Sequence, residues 1–140
     1  MNINTKIRYG LRSMIEISSA EHNHGVLQRE IAENQGISLK YLDSIISALK
    51  RAGLIENKEG RGSGYILTRD ASEITMLDIY SAFDPIDVVE CVVNSSFCDK
   101  SLSGCRANSY WNEFRFEVMQ ILKKKNLAQI VQGKRMNCNN

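Results

Sequence analysis

Apolar residues in the first half of the chain recur mainly at helical spacing. Ile7, Leu11, Met14, Ile15 and Ile17 form one stripe, which predicts a helix over residues 5–20 with Lys6, Arg8 and Arg12 along its early polar side. Residues 21–25 read as a turn whose two histidines, His22 and His24, suit a solvated loop better than a metal site. Leu27, Ile31 and Ala32 mark a short helix over 27–34, ended by Gly36, which accepts the positive φ of a helix end. Ser38 is a good N-cap for a third helix, whose inward face reads Leu39, Leu42, Ile45, Ile46 and Leu49. Its other face carries Lys40, Tyr41, Asp43, Ser44, Ser47, Lys50 and Arg51, hydrogen-bonding groups of both signs. Two helices joined by so short a turn form either a helix-turn-helix or an ordinary helical hairpin.

The following segment favours the first. Leu54-Ile55 and Tyr65-Ile66-Leu67 flank a charged, glycine-rich run over 56–64, the pattern of two strands around a mobile tip. A hairpin directly after the second helix of a helix-turn-helix is a wing. In that arrangement the third helix enters the major groove and the wing lies along the backbone or the minor groove. Gly60, Gly62 and Gly64 lack the strand–loop–helix setting of a phosphate cradle, which argues against a nucleotide site. Thr75 then caps a helix running to about residue 83, with Asp78 favoured near its start, and Pro85 marks the exit.

From residue 91 both periodicities stop. Cys91, Cys98 and Cys105 are evenly spaced in a small, polar, glycine-containing stretch, which reads as a loop with thiols in it. Beyond it Ala107, Trp111, Phe114, Val118 and Ile121 form a heptad-like seam, while Phe116, Met119 and Leu122 lie off the seam, toward the chain's own core. A helix with two apolar faces needs two partners, and packing on a symmetry mate in a C2 dimer supplies the second. Lys123, Lys124 and Lys125 suit its C-terminus. Residues 133–140 read as a disordered polar tail with an incidental thiol at Cys138.

Composition narrows the function classes. A chain of 140 residues with 43% hydrophobic and 24% charged residues suits one soluble domain with a real core. The net charge is only +2. Residues 1–69 hold ten Lys or Arg against seven Asp or Glu, and residues 70–140 hold eight against nine, so the first half is the one suited to an anionic partner. No stretch approaches the roughly 20 apolar residues of a membrane span, and residues 1–10 carry no signal-peptide core. A cytoplasmic location follows as the expectation, and there clustered thiols point to metal or redox chemistry more than to structural disulfides. No nucleophile–base pair, phosphate loop or paired carboxylates support catalysis, so the chain reads as a non-enzyme. The three loop cysteines have three candidate uses. They are iron–sulfur ligation, zinc, whose usual short Cys-x2–4-Cys spacing is absent, and a thiol–disulfide switch. Spacing alone does not choose among them, nor against three unreactive cysteines.

The pieces Thr5-Lys6-Ile7-Arg8-Tyr9, Ile31-Ala32, residues 35–42 (Gln-Gly-Ile-Ser-Leu-Lys-Tyr-Leu), Leu49, Gly53-Leu54, the wing ending at Gly64-Tyr65, Asp70-Ala71, the loop cysteines and Trp111 together resemble the IscR, NsrR and CymR regulators of the Rrf-two family. The resemblance spans nearly the whole chain. It implies a mainly α fold with a small β-hairpin, namely a winged helix-turn-helix domain (1–83), a cysteine sensor loop (84–106), a dimerisation helix with a short C-terminal helix (107–132) and the tail. It implies a homodimeric transcription regulator on a pseudo-palindromic double-stranded DNA operator. In the cluster-binding branch Cys91, Cys98 and Cys105 would hold an iron–sulfur cluster, 2Fe–2S as the first expectation and 4Fe–4S as the other. Lys40, Tyr41, Asp43 and Ser44 would then face the major groove, Ser38 and Lys50 the phosphates, Arg61 the minor groove, and Lys6 would also contact DNA. The chain departs from the pattern in having six rather than five residues between cysteines, Asn108 at the histidine-ligand position, Arg8 at the aspartate position and Glu59 before the wing glycine. The fourth ligand stays open among Glu90, Asp99, a partner residue, an exogenous thiol or water. A CymR-like thiol or partner switch is the alternative, and an iron–sulfur carrier a remote one.

Overall fold

The computed structural model describes residues 1–20, 24–94, 96, 98 and 104–133. His22, Asp99, Cys138 and residues 134–140 of the expected tail lie outside them. Among these residues seven α-helices and one hairpin follow in the order α1 (Thr5–Ser19), α2 (Gln28–Gln35), α3 (Leu39–Arg51), β1 (Ile55–Asn57), β2 (Tyr65–Leu67), α4 (Met76–Ser81), α5 (Glu90–Val93), α6 (Arg106–Lys123) and α7 (Leu127–Gln132), with a 3-10 turn at Ala71–Glu73.

Local chemistry sets most boundaries. Asn4 caps α1 by accepting from the Ile7 N–H, Ser38 caps α3 by accepting from Tyr41, and Thr75 and Asp78 form a reciprocal capping box at α4. Gly36 ends α2 in the left-handed region at φ 64°, and the Ile37 N–H then returns to Ala32 O at 3.0 Å. Asp70 opens the 3-10 turn, where the Ser72 hydroxyl and then its N–H hold the Asp70 carboxyl below its ordinary value.

Helix α1 is the hub. It touches α2, α3, α4, β2 and α7, and Met14 and Ile17 join Ile31, Leu42, Ile45, Ile46, Leu49, Leu54, Ile55, Ile74, Ile79 and Leu127 in one buried cluster. Phe83 lies directly against Gly10, where an added Cβ would stand 2.3 Å from the ring. A second cluster, Ile7, Tyr80 and Ile86, is closed from outside by Val118, Met119 and Leu122 of α6. Burial there pushes the Tyr80 phenol above its ordinary value.

The hairpin is antiparallel, with Ile55 opposite Leu67 and Asn57 opposite Tyr65. A single bridge from Val26 to Tyr65 widens it. The backbones of Gly64 and Val26 run so close that a Cβ at Gly64 would lie 2.2 Å from Val26 C.

Three details differ from the expectation. The cysteine stretch opens with a single turn of helix, α5, too short to show a period. On α6 the core-facing stripe keeps the expected Met119 and Leu122 but takes Arg115 and Val118 with them, at 3.6 residues per turn. Val118 of the seam therefore packs inward, and Phe116, expected inward, is 59% exposed. Finally, α7 returns to the first half. The Leu127 N–H donates to Ile74 O at 2.7 Å, and the Leu127 side chain is fully buried in the main cluster.

Truncating Leu127 to Ala removes a core side chain from under α1. Urea unfolding of Leu127→Ala is expected to show a loss of about 2–5 kcal/mol. A loss near zero would mean that α7 contributes nothing to the stability of this core.

Candidate nucleic-acid interface and cysteine segment

Helix α3 buries Leu42, Ile45, Ile46, Ala48 and Leu49 and presents Lys40, Asp43, Ser44, Ser47, Lys50 and Arg51 to solvent. Ser38, also exposed, keeps its hydroxyl donor free while its oxygen caps the helix. Tyr41 is turned partly inward. Its ring meets that of Tyr9 edge-on at 6.0 Å, and the Ser44 hydroxyl donates to Tyr41 O at 2.8 Å. Leu39 corrects the sequence expectation. It is 51% exposed rather than in the core. As the first residue of α3 it points back along the helix axis, past the turn, where no neighbouring element covers it.

The wing is joined to α3 by side chains that sequence reading did not single out. The Tyr65 hydroxyl donates to Gln28 Oε1 at 3.2 Å. That fixes the Gln28 amide group, whose Nε2 donates to Asp43 Oδ1 at 3.4 Å and Leu39 O at 3.5 Å. Lys50, expected on phosphates, donates to Asn57 Oδ1 at 2.7 Å and lies 5.7 Å above the Tyr65 ring. At the tip, Gly60 (φ 113°) and Gly62 (φ 76°) bracket exposed Arg61, and the Ser63 hydroxyl donates to Glu59 O at 3.1 Å. Lys6 is exposed on the first turn and a half of α1.

Cys91 lies on α5, Cys105 occupies the N-cap position of α6, and Cys98 lies in the chain between them. All three are half-buried and none is in a disulfide. Asn108 donates to Cys91 O at 2.9 Å and accepts at Oδ1 from Asn112 at 2.7 Å. Both ends of the Asn108 amide are thus engaged within the protein, which makes it a clip between α5 and α6. Two helical turns further, Arg115 Nε donates to Ile86 O at 2.8 Å. Three unbridged thiols are the donor chemistry an iron–sulfur cluster takes. Among the described residues, however, no three His, Cys, Asp or Glu side chains are gathered closely enough to hold a metal ion. The donors fit in kind and are not preassembled.

The family model of Rrf2, described as an iron-dependent transcriptional regulator, matches residues 3–133. The chain belongs to the Rrf2 family. It is 30% identical over 132 residues to the HTH-type transcriptional regulator IscR of Photorhabdus laumondii, covering 94% of this chain and 79% of that one. Among solved structures it is similar to CymR, the global cysteine regulator of B. subtilis, at a TM-score of 0.73 and 27% identity, covering 96% of this chain and 99% of the other. It is similar also to T. potens IscR, at a TM-score of 0.72 and 25% identity, covering 94% and 87%. This Rrf2 chain is therefore a DNA-binding transcriptional regulator and not an enzyme. No described helix is long and apolar enough to cross a membrane.

The Tyr65–Gln28 link is expected to couple wing and helix energetically. Gln28→Ala should lower stability by about 0.5–1.5 kcal/mol. Tyr65→Phe should then add much less in the Gln28→Ala background than alone. Strict additivity in a double-mutant cycle would show that the two side chains do not act together.

Proposed function

We propose that the chain is a homodimeric, sequence-selective regulator whose DNA affinity is set by the state of Cys91, Cys98 and Cys105, acting as ligands of an iron–sulfur cluster. The observation that carries this reading is the presence of three half-buried, unbridged thiols around the junction of α5 with α6, the longest helix. Tyr110, Phe114 and Ile121 of α6 are 57%, 41% and 67% exposed, an apolar side that a second copy would cover. A C2 dimer presents two copies of α3 to two half-sites, which accounts for a pseudo-palindromic operator.

In this reading Lys40, Asp43 and Ser44 read base edges, Tyr41 gives its hydroxyl edge to the groove, Ser38 and Lys6 meet phosphates, and Arg61 reaches the minor groove from the wing. Lys50 serves there only if DNA releases it from Asn57. An iron–sulfur cluster, when bound, supplies a redox-, oxygen- or nitric-oxide-sensitive tie among the thiolates. The chain's own part is to bring Cys98 toward Cys91 and Cys105 and, through Asn108 and Arg115, to transmit the resulting position of α5 and residue 86 to α6. Differential DNA affinity of the two states by about 1–3 kcal/mol would suffice for regulation.

A second reading, a thiol–disulfide switch, draws on the absence of a gathered ligand set among the described residues. Anaerobic purification separates the two. Visible absorption with near-equal iron and sulfide, lost in Cys98→Ala, is the expected result. A protein that stays colourless after anaerobic reconstitution, and forms a reversible disulfide among the three cysteines, would replace the cluster with the switch.

The wing has its own test. Arg61→Ala should weaken binding about equally across DNA sequences and reduce the salt slope by about 1. An unchanged slope would remove Arg61 from the phosphate and minor-groove contacts.

A further inference from the structure

Among the described residues from 4 to 92, Leu39 is the one large apolar side chain that stands exposed. Every other leucine or isoleucine of α3 is no more than 2% exposed. Leu39 is flanked on the exposed surface by Lys40 and, one turn on, by Asp43. Its backbone is held from both sides. Ser38 caps the turn before it, and the Gln28 amide donates to Leu39 O at 3.5 Å and to Asp43 Oδ1 at 3.4 Å.

We infer that Leu39 is a base-reading residue, packing against the C5-methyl group of a thymine in each half-site. Only thymine offers an apolar group in the major groove, and an exposed leucine at the entering end of a recognition helix is its chemical complement. The neighbouring Asp43 carboxylate accepts hydrogen bonds, so the pair Leu39–Asp43 reads a methyl group beside a base amino group. The inference rests on the reading of α3 as the helix that enters the groove.

The test uses the full chain and DNA without its methyl groups. Operators are first enriched from random duplexes, and each thymine of the enriched sequence is then replaced singly by deoxyuridine. One replacement per half-site should weaken wild-type binding about fourfold, the value of one buried methyl. In Leu39→Ala the same replacement should have no effect, while the other positions respond as in wild type. Identical deoxyuridine profiles for the two proteins, with Leu39→Ala unfolding at the wild-type urea midpoint, would overturn the role of Leu39 and leave the DNA-binding reading standing. Failure to enrich any operator, with or without reconstituted iron, would instead overturn that reading and this inference with it.

Discussion

Tyr65 is the residue on which the proposed DNA-facing surface depends. Its backbone exchanges hydrogen bonds with Val26 at 2.8 and 3.0 Å, fixing the wing to the strand-like entry of α2. Its hydroxyl orients Gln28 and its ring lies under the Lys50 ammonium, so α2, α3 and the hairpin meet at one side chain. A hairpin of two three-residue strands is marginal alone in water. Here it gains a third backbone partner, and the close approach of Gly64 to Val26 leaves no room for another residue. The hairpin, α2 and α3 are therefore tied into one unit, and Gly60 and Gly62 take positive φ at its tip.

The rest of the chain is arranged around α1, and the two C-terminal helices use it differently. Helix α7 completes the core through Leu127, whereas α6 covers the Ile7–Tyr80–Ile86 cluster with one stripe and leaves Tyr110, Phe114 and Ile121 in solvent. Exposed aromatics on this scale are a standing penalty for an isolated chain. In the proposed dimer, packing through α6 would remove it and set the spacing of the two copies of α3, so one helix face would answer both stability and geometry.

What the sequence disclosed was what is local. Ser38, Gly36, the Thr75–Asp78 capping box and the glycine-rich hairpin were legible because each is decided within a few residues. Leu39 was misplaced because periodicity assigns a face but ignores where the helix ends and its cover stops. Met119 and Leu122 turned inward as read, but Val118 and Phe116 exchanged places because periodicity gives two apolar faces without their exact edges, which packing on Ile7 and Tyr80 sets. The Gln28–Tyr65 and Asn108–Cys91 bonds join residues 37 and 17 positions apart, which no local pattern encodes. The cysteines were found by spacing, but their separation in space is a tertiary property.

That separation bears on how a signal could travel. Cys91 and Cys105 are both tied to α6, the first through Asn108 and the second as its N-cap residue, so ligation that shifts either of them acts on α6. Movement of α6 is opposed by Arg115 on Ile86 and by Val118, Met119 and Leu122 packed on Ile7 and Tyr80. Ile7 belongs to α1, and α1 carries α3 through Met14, Ile17 and the Tyr9–Tyr41 ring contact. The contacts are close-packed, and such packing shifts between discrete arrangements rather than deforming smoothly. The proposed ligation of the cysteines would therefore reach α3 through contacts that run from α6 to α1. In the proposed function, a chain with its cysteines ligated and one without them ligated differ in the position of α6 and, through α1, of α3.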